Sequence, residues 1–403
     1  MSRWWWLAAM MGAGASLQAQ DWLDRVEENL TFSGWNDRLR ARLSGTLDLE
    51  YYHTSDPPFG LFESTASDLF NPRLTLFVDA QFGAEWYAFL QARVDRGFDP
   101  ADGAARMRLD EYVLRYTPWP DGRLSIQIGK FASIVGRWNA RHLSWDNPFV
   151  TAPLPYNEPT PASDRVLPYP GIIDAYRAMG QSYYYLPILW NASYATGVSI
   201  SGRVGKFDYA AELKNASLSS RPESWDVGDT GFDHPTVSIR AGYRPDLHWN
   251  LGFSASRGPY LREDFYGRLP RGKGVGDYEQ LVLGQDISFE WHHLQLWAEF
   301  YEARFELPRV GSANTFAYFV EAKYKFSPQF YAALRWNQQL YDDIPNGDGG
   351  EVPWGVDLWQ ADAAMGYRFT AHTQLKVQYS LQRETTMQRD TNHLLALQFT
   401  TRF

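Results

Sequence analysis

From residue 39 the chain alternates. Leu39, Ala41, Leu43, Gly45, Leu47, Leu49 and Tyr51 fall on one phase, and Arg40, Arg42, Ser44, Thr46, Asp48 and Glu50 on the other. A period of two with one apolar phase predicts a strand that shows a nonpolar medium one face and a polar space the other. The pattern recurs at 74–82, 86–94, 108–117, 123–131, 198–204, 207–213 and 237–243. It continues at 249–255, 281–291, 294–300, 316–326, 330–336, 359–369 and 375–381. The final run sets Leu395, Leu397, Phe399, Thr401 and Phe403 against Leu394, Ala396, Gln398, Thr400 and Arg402. At one point the phase conflicts: Asp110 and Glu111 are adjacent, and a regular strand cannot turn both to the polar side.

The connections between these strands also alternate. Tight turns lie near Gly83 and at Gly205-Lys206, Pro245-Asp246, His292-His293, Ser327-Pro328 and Ala371-His372. Longer connections cover 53–71, 97–106, 132–193, 217–234, 257–277, 306–314, 341–357 and 384–391. Aromatics make up 16% of the chain, yet its mean hydropathy is negative. An all-β fold reconciles the two: a transmembrane antiparallel β-barrel of about 16 strands, apolar outside and polar within. With both ends on the periplasmic side, the tight turns are periplasmic and the long connections extracellular.

The first 20 residues carry Arg3, an apolar centre from Trp4 to Leu17 and small residues before Asp21, which predicts an export signal. Residues 21–37 are expected to form a short periplasmic helix and segment, and 38–403 the barrel, in the outer membrane of a Gram-negative bacterium. The chain has no cysteine, which excludes disulfides, thiolate metal sites and a cysteine nucleophile. A net charge of −9 argues against nucleic acid. His142 and Ser144 lie close, but a nucleophile needs an oriented base and an oxyanion hole, which nothing specifies. The expectation is a non-enzyme with no cofactor or metal.

The connection 132–193, about 60 residues, is too apolar for a solvated tail and too rich in proline for further strands. It is expected to fold into the barrel as the third outward loop. A barrel of about 16 strands whose longest loop follows the fifth resembles the bacterial porin superfamily, and Gly129-Lys130-Phe131 is similar to the strand-to-loop junction of phosphate-selective and related substrate-selective porins. The resemblance implies a channel for passive diffusion of small hydrophilic solutes, narrowed by that loop, and often a homotrimer. Other implied partners are outer-membrane lipid, lipopolysaccharide and the barrel-assembly machinery, which would read Phe403. The alternative is a non-conducting barrel whose outward loops bind polysaccharide.

Candidate constriction residues on the loop are Arg137, Arg141, His142, Arg165, Asp174 and Arg177. On the polar phase of the wall they are Arg40, Arg42, Arg73, Arg93, Arg335 and Arg368. Cations and anions on that phase nearly balance, so only mild ion selectivity is expected. Seven aromatics share the inward phase: Phe77, Tyr87, Phe89, Trp297, Tyr301, Phe319 and Tyr331. They suit sugar faces, or packing against the folded loop. Tyr183, Tyr184, Tyr185 and Trp190 are expected in an interfacial girdle.

Overall fold

The computed structural model describes residues 22–36, 38–55, 60, 67–96, 105–165, 185–263, 265, 269–346, 349–385 and 391–403. Helix α1 (22–29) leads into β1 (Thr31–Gly34), then β2 (Leu39–Thr54), β3 (Asp68–Phe82), β4 (Trp86–Asp95), β5 (Arg106–Tyr116) and β6 (Ser125–Phe131). After the long loop, which contains the single turn α2 (Leu154–Asn157), come β7 (Ala195–Val204), β8 (Phe207–Lys214), β9 (Thr236–Tyr243) and β10 (Trp249–Pro259). They are followed by β11 (Glu279–Trp291), β12 (Leu294–Leu307), β13 (Gly311–Lys325) and β14 (Phe330–Tyr341). A small separate hairpin, β15 (Asp343–Pro345) with β16 (Glu351–Pro353), precedes β17 (Leu358–Arg368), β18 (Thr373–Glu384) and β19 (Asn392–Arg402).

Sixteen of these strands, β2–β14 and β17–β19, pair antiparallel with their neighbours in chain order, and β19 returns to β2. Closure leaves no open edge, as a backbone in lipid requires. The alternation sorts the side chains as expected. Leu47, Leu49, Val78, Ile239, Phe253, Val320 and Leu395 are exposed on the outer wall, while Asp48, Glu50, Asp286, Glu321 and Gln378 are buried on the inner one.

Four details depart from the sequence expectation. Residues 31–34, expected only as part of a segment after the helix, form a strand. The connection after β12 is short, with Leu307 and Gly311 already paired across it. Asp110 and Glu111 both turn inward, because the register of β4 against β5 skips Asp110 at a bulge, which adds the extra residue that two consecutive inward side chains need. Tyr185 and Trp190 are not girdle residues: they belong to the buried interior, Trp190 completely. Tyr183 and Tyr184 lie outside the described residues, as does the expected signal at 1–20.

The barrel seam is composite. β19 pairs with β2 as far as Arg402–Thr46, and Phe403 exchanges both backbone hydrogen bonds with Gly45. Beyond that point Leu30 and then β1 take over, Thr31 to Gly34 facing Arg42 to Leu39. Two segments from opposite ends of the sequence thus line up along one edge of β2. The Phe403 ring lies over Gly45, where an added Cβ would sit 2.6 Å from the ring and 2.9 Å from the Thr75 carbonyl oxygen. Gly45→Leu is therefore expected to displace Phe403 and lower the heat-resistant, fast-migrating fraction on gels. A variant that resists heat like the parent would show that this contact is dispensable.

Candidate functional site: a loop held against one wall of the lumen

The long loop has almost no regular structure, so its peptide groups need partners elsewhere. Inward-facing wall side chains provide them. Glu212 on β8 accepts from the Ser133 hydroxyl (2.9 Å) and the Ile134 amide (3.3 Å). Glu299 on β12 accepts from the amides of Arg137 (2.9 Å) and Trp138 (2.6 Å) and from the hydroxyls of Tyr156 and Tyr301, each at 2.6 Å. Gly136 makes this approach possible. Its φ is +75°, and a Cβ there would lie 2.1 Å from the Tyr301 hydroxyl and 2.2 Å from that of Tyr156.

Further along, Lys376 on β18 donates to the carbonyls of Ser144 (2.7 Å), Asn147 and Phe149 (both 3.0 Å). Gln378 accepts from the amides of Val150 and Thr151. Arg335 on β14 donates to the Thr151 carbonyl and hydroxyl (3.1 Å each), pairs with Asp362 at 2.7 Å, and stacks 4.2 Å from the Phe149 ring centroid. Asn337 accepts from Leu154. The described parts of the loop thus run along the wall from β8 to β18.

The expected loop residues divide. Arg141 pairs with Glu321 at 2.6 Å and stacks over Trp297 at 4.2 Å. Arg137 reaches the wall cluster of Arg240, Asp286, Arg244 and Asp208, where burial first, and then Arg240, lowers its proton affinity. His142 bonds the Asn139 carbonyl through Nδ1 and the Tyr194 hydroxyl through Nε2. Bonding a carbonyl makes Nδ1 the donor, so Nε2 accepts from Tyr194 and is not available to Ser144. Burial pushes the imidazole down to about 4, so it is neutral near pH 7. Arg165 is half-buried. Asp174 and Arg177 lie outside the described residues.

The wall arginines divide as well. Arg335 and Arg368 serve the loop, the latter stacking on Trp145. Arg40 and Arg42 are exposed at the short-turn rim, where Arg42 pairs with Glu27 of α1. Only Arg73 and Arg93 stand across from the loop. Together with Tyr52 and Gln398 they face His142, Ser144, Asn147 and Thr151 around a cavity of about 100 Å³. Arg73 pairs with Glu50 (2.6 Å) and Asp48 (3.1 Å). Arg93 pairs with Asp110 (2.8 Å) and Asp95 (3.3 Å), and Arg108, which the sequence reading passed over, shares both carboxylates.

The anchors themselves escaped notice as anchors, although a signal existed. The inward phase of β18 reads Gln374, Lys376, Gln378, Ser380, Gln382, and amides that both donate and accept suit an irregular backbone.

No protein-family model and no curated protein matches the sequence. Solved structures do match in shape. The outer membrane channel DcaP of Acinetobacter baumannii is 12% identical with a TM-score of 0.59, over 92% of this chain and 99% of that one. An anion-selective porin from Comamonas acidovorans is 8% identical with a TM-score of 0.56, over 91% and 100%. OmpT, an outer membrane protein of Vibrio cholerae, in its trimer form is 12% identical with a TM-score of 0.54, over 91% and 100%. The fold is therefore the 16-stranded barrel of outer-membrane porins.

Arg335→Met would leave Asp362 buried without its cation, at a cost of about 3–5 kcal/mol. A clear drop in the unfolding temperature in detergent is expected. His142 gives a pH dependence of known sign. The unfolded chain takes up its proton below about 6.5 and the folded one only near 4, so stability falls as pH drops through that window. His142→Gln should flatten the dependence between pH 6.5 and 4, measured by tryptophan fluorescence on heating.

Proposed function

We propose that this protein is an outer-membrane channel for passive diffusion of small hydrophilic solutes, narrowed by the loop 132–193. The observation that carries the reading is the asymmetry of the lumen. Glu299, Glu321, Arg335, Asp362 and Lys376 on β12 to β18 are sealed beneath the loop, while the side chains of Arg73 and Arg108 keep 20% and 22% of their exposure. A solute would pass along that second wall, with the long-loop rim extracellular and the short-turn rim periplasmic. No bond is broken in such passage, and the engaged His142 fits a non-enzymatic role.

Arg73, Arg93 and Arg108 on the open wall are each matched by carboxylates, which favours mild ion selectivity. The exposed apolar belt suits outer-membrane lipid and lipopolysaccharide, or a second and third copy in a homotrimer like the trimer form described for OmpT. An exported precursor with residues 1–20 as signal, and recognition of Phe403 by the assembly machinery, complete the reading.

Single-channel conductance in planar bilayers tests it, with and without residues 137–177. The intact protein should conduct, and the deletion should enlarge the current. Silence that the deletion converts to current would make the loop a plug. Silence in both would instead favour a polysaccharide-binding surface barrel, for which the cavity of about 260 Å³ between residues 215–234 and 259–275 is the natural site.

A further inference from the structure

The connections 215–234 and 259–275 meet on the long-loop rim around a cavity of about 260 Å³, near the lower end of small-molecule pockets, which span about 300–1,000 Å³. One buried side chain holds its wall in shape. Asn215 donates to the carbonyls of Thr230 (2.8 Å), Asp226 (3.3 Å) and Ser224 (3.4 Å), and its own side-chain oxygen accepts from the Thr196 amide (3.0 Å). The floor is apolar. Ala216, Tyr260 and Leu261 are buried there, and the Tyr260 hydroxyl is already committed to the Glu306 carbonyl (3.0 Å).

The polar groups above this floor are short of partners and of one sign. Ser224 lines the cavity at 5% exposure, and its hydroxyl makes no hydrogen bond among the described residues. Asp229, Asp233 and Glu263 line it from the exposed rim, against one guanidinium among the described lining residues, that of Arg262. The His234 ring completes the rim. It lies on Gly276, where an added Cβ would come 2.5 Å from it. Three neighbouring cations are already taken: Lys273 by Asp277 (3.3 Å), Lys130 by Asp226 (2.9 Å) and Arg221 by Asp164 (2.7 Å). The lining therefore sets surplus negative charge over an apolar floor.

That combination narrows the ligand. Carboxylates and phosphates would meet three like charges. A bare metal ion is not served, because no three ligating side chains converge among the described residues. A neutral glycan would use the floor and leave the surplus charge unanswered. We propose that this cavity binds small organic cations, with an ammonium group among the carboxylates, the Ser224 hydroxyl accepting from it, and an apolar body on the floor. The site belongs to the rim rather than the lumen, so it stands apart from the channel reading.

Calorimetric titration of the full-length protein in detergent tests it, with three probes built on one frame: phenethylamine, its neutral analogue 2-phenylethanol and its anionic analogue phenylacetate. Phenethylamine should bind one to one, the alcohol about tenfold more weakly, and phenylacetate without measurable heat. Asp229→Asn combined with Asp233→Asn keeps size and removes charge at exposed positions. It should weaken phenethylamine about fivefold and leave the alcohol unchanged. No binding of the amine, equal affinity for amine and alcohol, or amine binding indifferent to the two asparagines would overturn the proposal. Maltotriose is the fourth titrant, and tighter binding of it than of the amine would overturn the proposal in favour of a glycan. None of these outcomes bears on the channel, which conductance decides.

Discussion

A peptide segment without regular structure can lie inside a barrel only if its amides and carbonyls are satisfied there, and on this requirement the lumen is organised. The wall meets it with opposite chemistries at successive stations. Carboxylates of Glu212 and Glu299 take loop amides, Lys376 and Arg335 give to loop carbonyls, and Gln378 and Asn337 accept from others. Each station also settles the desolvation of a charge that would be costly alone. The loop and the wall are therefore one hydrogen-bonded unit, and removing either partner strands the other.

This arrangement consumes many of the charges that a simple inspection would assign to selectivity. Arg141, Arg335 and Arg368 are structural cations, their guanidiniums stacked on Trp297, Phe149 and Trp145. The wall opposite the loop carries Arg73, Arg93 and Arg108 with Asp48, Glu50, Asp95 and Asp110. Asp110 reaches that group only through the bulge in β5, so a local irregularity of the sheet sets the balance of the open wall.

Strand positions and phases were legible because period-two alternation needs only local sequence. The bulge was visible as a contradiction at Asp110-Glu111 but not as its resolution, which depends on register against β4. The strand β1 was missed because four residues carry too little periodicity, and its partner is supplied by the fold. For the site, the inward phase put Arg73 and Arg93 on the inner wall, where both line one cavity. It could not separate them from Arg335, which shares their pattern and differs only in lying beneath the loop. That distinction is tertiary, as is the neutrality of His142.

The seam on β2 has a kinetic side. The partner residues of β2 at this edge come from 394–402, so during synthesis one edge of the first barrel strand waits for a segment some 350 positions away. An unpaired edge with an apolar face is a template for wrong partners. Leu30 and β1 can occupy only the stretch from Leu43 back to Leu39, a short local cover that shields the start of β2 while the rest stays open. Closure is thus the long-range event of this fold, and most of that edge of β2 has no local cover until the final strand pairs with it.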